Sequence, residues 1–156
     1  MALDDIDSLP AAAAGITPTS AASAWGFGLW TELTSATTTD IYVISLVFQI
    51  TNIPALDTTV EQLFEIGIGA AGAEVTDIQI PYNVRNDTLV GYYHTRPDHI
   101  FLPEPVLITS GTRIAIRVAD SLATAITYQG VKIMYKEGAS AFTAVDPFGM
   151  MGIFGI

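Results

Sequence analysis

The stretch Ile41–Thr51, IYVISLVFQIT, is the longest run of β-branched and aromatic residues in the chain and decides how the rest is read. Its even positions, Tyr42, Ile44, Leu46, Phe48 and Ile50, are all apolar or aromatic, the period of a strand turning one face to a core. The odd positions mix Ile41, Val43 and Val47 with Ser45, Gln49 and Thr51. Part of that face also prefers to leave water, as in a strand held between two layers. A second sheet or a second subunit is expected over it, and Ile41, Val43 and Val47 are candidate oligomer-interface residues.

Outward from this strand the same alternation recurs. Val60, Gln62, Phe64, Ile66 and Ile68 alternate mostly against Glu61, Glu65, Gly67 and Gly69. A helix competes for residues 58–66, but the continuation FEIGIGAAGAEV holds three glycines, each costing about 1 kcal/mol in a helix. Val75 to Ile80 reads as a short strand ended by Pro81. In TRIAIRVA, Ile114, Ile116 and Val118 face in while Arg113 and Arg117 face out. A parity change at Gln129 and Gly130, between Tyr128 and the odd-register Val131, Ile133 and Tyr135, suggests a β-bulge. Upstream, Trp25, Phe27 and Leu29 alternate with glycines as a first strand, and Gly26 and Gly28 leave room for another backbone. About eight short strands with no amphipathic helix give an all-β fold: an antiparallel, jelly-roll-like β-sandwich over residues 25–138. An extended N-terminal arm (1–24) and an apolar C-terminal arm (139–156) flank it.

Composition bounds the function. With 156 residues the chain is long enough for one core without staples, and the absence of cysteine removes disulfides, thiolate metal sites and cysteine nucleophiles. Half of the residues are hydrophobic and only 14% are charged, a balance that points to a homo-oligomer. A net charge of −10 argues against nucleic acid as a partner, because that affinity comes from Lys and Arg releasing counterions. No apolar run reaches the roughly 18 residues of a membrane helix, and Asp4, Asp5 and Asp7 stand where an export signal would be basic. A soluble protein made in the cytoplasm, with no membrane partner, is expected.

No persuasive catalytic motif is present. His94, Asp98 and His99 lack zinc-pair spacing, and Arg96 between them opposes a cation, so no metal or cofactor is expected. Glu61, Glu65, Glu74 and Asp77 could offer a glycosidase acid pair, but outward strand faces carry such pairs routinely. GIGAAGAE lacks the helix and lysine of a phosphate loop and reads as a turn. Residues 82–105 gather most of the polar chemistry. Within them Tyr82, Arg85, Tyr92, Tyr93, His94, Arg96 and His99 form a candidate glycan or partner loop. The tail supplies a second candidate interface, Phe148, Met150, Met151, Ile153, Phe154 and Ile156. Burying six such side chains gains on the order of 9–18 kcal/mol. Ordering about ten residues costs a comparable 10–20. The tail therefore needs a preformed groove, on its own domain or preferably on a neighbouring subunit.

FGLWTEL, FEIGIGAAGAEVTDIQIPY, PEPVLITSGTRIAIRVADS and VKIMYKEG, spread over residues 27–138, together resemble virion structural proteins of tailed bacteriophages. The resemblance implies a β-sandwich module, often trimeric, acting as a capsid decoration or cement protein. Its partners would be the major capsid protein or other virion proteins, on a capsid assembled in the host cytoplasm. A fibre or receptor-binding module that recognises host glycans is the alternative, and neither is an enzyme.

Overall fold

The structure, a computed structural model, describes residues 6–50, 59–85 and 98–138, which form eight strands and no helix. They are β1 (Asp7–Leu9), β2 (Thr31–Thr34), β3 (Ile41–Ile50), β4 (Thr59–Ile68), β5 (Val75–Arg85), β6 (Asp98–Ile108), β7 (Ile114–Asp120) and β8 (Tyr128–Glu137). Two four-stranded antiparallel sheets, ordered β1-β8-β3-β6 and β2-β7-β4-β5, form a sandwich. The pairs β4–β5, β3–β6, β2–β7 and β1–β8 are nested, as if one long ribbon were folded at the β4–β5 turn. Rolling that ribbon brings β3 against β8 and β4 against β7, which is the jelly-roll arrangement.

The core lies between the sheets. Ile114, Ile116 and Val118 of β7 are fully buried, as their alternation requires, in one core with Phe64, Ile66, Leu46, Phe48, Val131 and Ile133. Burial of each such side chain stabilises by about 1.5–3 kcal/mol.

Strand β3 departs from simple alternation. Ile41 and Val43 point into the core, and so do Leu46, Phe48 and Ile50, because a β-bulge between Val43 and Ser45 switches the inward parity from odd to even. This corrects the interface reading of two residues. Ile41, 2% exposed, and Val43, 0% exposed, are covered by the chain's own second sheet and present no surface to a subunit. On β8 the register shifts opposite Val47 and Gln49, beside Gly130 at φ 61°, so Tyr128 and Val131 both reach the core.

Three further readings change. The N-terminal segment is laid along its own sheet: β1 pairs with β8, Ile16 bridges Val131 and Thr19 bridges Thr127. Residues 25–30 are not a strand but continue the line of β2 along the edge of β7, tied by the Gly28 N–H to the Val118 carbonyl and by the Trp25 N–H to the Asp120 carbonyl. A Cβ on Gly28 would collide with the Thr19 carbonyl oxygen, the close backbone approach its sequence anticipated. Finally, β5 continues through Pro81 to Arg85, tolerated because β5 is an edge strand whose missing N–H costs no ladder bond.

Candidate functional site

Three cross-strand rows run over the outer face of β6, β3 and β8: Leu107–Tyr42–Lys136, Phe101–Ser45–Met134 and His99–Val47–Lys132. Phe101 is 67% exposed and Leu107 47%, while Ile44, Val47 and Met134 are half-buried. His99 Nε2 and buried Ser45 Oγ share a hydrogen bond of 2.6 Å, and the His99 ring stacks on Phe101 at 4.2 Å. Both of the chain's lysines lie on this face. Among the described residues no ion pair engages them.

The outer face of the other sheet is already occupied by an ionic and aromatic network. Glu65, 4% exposed, accepts hydrogen bonds from Arg117 Nε at 2.7 Å, Gln79 Nε2 at 2.7 Å and Thr76 Oγ1 at 3.0 Å. The Arg117 guanidinium lies 4.4 Å from the Phe27 ring centre and 4.3 Å from that of Trp30. Gly67 makes room for this stack, since a Cβ there would lie 2.5 Å from the Trp30 ring. Burial alone would raise the Glu65 pKa, but the hydrogen bonds from Gln79, Arg117 and Thr76 outweigh it and hold the carboxyl below its ordinary range. Arg113 binds Glu32 at 2.8 Å and Glu74 at 2.6 Å. Glu65 and Glu74, considered above as half of an acid pair, are thus each held by an arginine.

A polar layer crosses the interior at the end of the sandwich where β5, β7 and β3 finish. Tyr82, Gln62 and Asp120 form one inward row on β5, β4 and β7. Opposite them stand Asp98, Phe48 and Tyr128 of β6, β3 and β8. The Tyr82 ring meets Phe48 edge-on at 5.3 Å, and its hydroxyl is raised in pKa by burial and then by its Asp98 partner. Tyr128 is raised further, by burial first and by the Asp120 charge second. The Gln62 amide, Asp120 Oδ2 and the Tyr128 hydroxyl, all at most 2% exposed by residue, have no hydrogen-bond partner among the described residues. The one available sequence signal was Gln62 in an inward register between Val60 and Phe64.

The candidate glycan loop is not brought together among the described residues. Tyr82 faces inward and His99 lies on the opposite sheet's outer face, bound to Ser45, while Arg85 ends β5 opposite Thr59. Tyr92, Tyr93, His94 and Arg96 lie outside the described residues, as do Phe148, Met150, Met151, Ile153, Phe154 and Ile156. No group of three or more His, Asp or Glu among the described residues could hold a metal ion.

No protein-family profile and no curated protein sequence matches the chain. Among solved structures it is similar to Eiger TNF from S. frugiperda, at 10% identity and a TM-score of 0.38, over 91% of this chain and 98% of that one. It is also similar to the infectious bursal disease virus Gx strain structure, at 14% identity and a TM-score of 0.33, over 86% of this chain but only 37% of that one. Likeness at this level assigns no function.

Proposed function

We propose that the protein is a non-enzymatic structural protein of a virion, a capsid decoration or cement protein that assembles as a homo-oligomer, a trimer, and stabilises the shell. The observation that carries the reading is the outer face of β6, β3 and β8. There Phe101 and Leu107 are exposed at 67% and 47% beside half-buried Val47 and Met134. A flat apolar face of this kind is what an assembling module buries. Lys132 and Lys136 border it in a chain of net charge −10, so acidic groups on a neighbouring copy or on the shell complement the rim. The phage assignment is supported by the sequence resemblance over residues 27–138.

Amine acylation read by mass spectrometry tests the face directly, because Lys132 and Lys136 are the chain's only lysines. In the assembled protein both should react several-fold more slowly than in a Phe101→Asp variant. Equal reactivity in the two would remove this face from the interface. Co-sedimentation with a purified capsid shell tests the cement step, and a shell whose heat disassembly is unchanged by the protein contradicts it.

A further inference from the structure

Trp25 is the one non-glycine residue with a left-handed backbone among the described residues, at φ 59°. A side chain with a Cβ seldom adopts that angle, and when it does so the cause is often a site the surroundings have built. Here two hydrogen bonds impose it. The Trp25 N–H donates to the Asp120 carbonyl at 2.6 Å, and the Gly26 N–H to the Ser23 carbonyl at 2.9 Å. The result is an indole left 50% exposed at the rim of a groove of about 610 Å³. Backbone strain and an unburied aromatic ring both act against stability, and both serve to place the same ring.

The groove crosses the outer face of β4 and β5. Its lining includes two cross-strand pairs, Glu61 with Asn83 and Leu63 with Pro81. An aromatic wall, an apolar pair and a polar pair are the complement of a sugar ring. The C–H face of a pyranose packs on an indole and on aliphatic carbon, while its hydroxyls donate to a carboxylate and exchange hydrogen bonds with an amide. The volume falls within the range of small-molecule sites. Glu61, in a chain of net charge −10, disfavours an anionic sugar. We infer that this groove binds a neutral pyranose, with Trp25 as the stacking wall and Glu61 and Asn83 as hydroxyl partners. The site is on the sheet opposite the proposed assembly face, so the two readings stand or fall separately.

The experiment is a nuclear magnetic resonance titration of the isotope-labelled full chain with methyl glucoside, methyl galactoside, N-acetylglucosamine and N-acetylneuraminic acid. At least one neutral sugar should shift the Trp25 indole N–H and the Glu61 and Asn83 amides, and N-acetylneuraminic acid should not. Trp25→Gly removes the ring while supplying the residue that favours φ 59°. It should therefore keep or raise the melting temperature and weaken binding at least tenfold, and Glu61→Ala should weaken it less. The inference is overturned if no neutral sugar shifts these signals at millimolar excess, if N-acetylneuraminic acid binds equally well, or if binding survives Trp25→Gly.

Discussion

Gly67 and Trp30 show how one missing side chain shapes a surface. The Trp30 ring covers Gly67 and stacks on Arg117, so a methyl group 2.5 Å from the ring must displace it. Gly67→Ala should cost about 1–3 kcal/mol in chemical denaturation, the usual penalty of overpacking. The Glu65 carboxyl beneath has its pKa lowered on folding, so it adds stability above its unfolded value, about 4.3, and loses that contribution as pH falls through the folded value. The denaturation midpoint should consequently drop more between pH 7 and pH 3 in the natural protein than in Glu65→Gln. In the interior the sign reverses: Tyr128 buries a hydroxyl without a partner among the described residues. Tyr128→Phe should be neutral or stabilising by up to about 1 kcal/mol, measured the same way.

At the scale of elements, period-2 alternation located β3, β4, β7 and β8 because each turns one row of side chains into a single core. It could not reveal which face of β3 is inside, since the bulge after Val43 changes the parity within one apolar run and both faces read alike. Strand β6 is interrupted for a related reason. Val43 opposes Val106 and Ser45 opposes Phe101, so residues 102–105, with Pro103 and Pro105, bow out of an otherwise continuous edge strand. The separation of Tyr82 from His99 was illegible because they belong to strands of different sheets, a fact of topology rather than of local sequence. The N-terminal segment misled in the opposite direction, since its Ala, Pro and Thr composition hides a strand partner. Ile16 and Val131 exchange backbone hydrogen bonds, and Tyr128 N–H donates to the Pro18 carbonyl. Removing residues 1–20 should therefore expose the β8 edge, lower the melting temperature and promote aggregation visible by light scattering. A detached arm could be removed without either effect.

For the whole molecule, the nested pairing of β1 with β8 through β4 with β5 makes a closed core out of strands far apart in sequence. No count of strands reveals that order. The two sheets differ in charge: the β2-β7-β4-β5 side carries Arg113, Arg117 and their acidic partners, with Trp25, Leu29 and Val75 exposed, while the outer face of the other carries exposed Phe101 and Leu107 and both lysines. The proposed function requires that this second face hold copies together. Light scattering coupled to size exclusion, over a range of concentrations, tests it most directly. The natural protein should show three times the 16.6 kDa chain mass and Phe101→Asp a folded monomer. A monomer at every concentration, or an oligomer indifferent to Phe101→Asp, would contradict the claim.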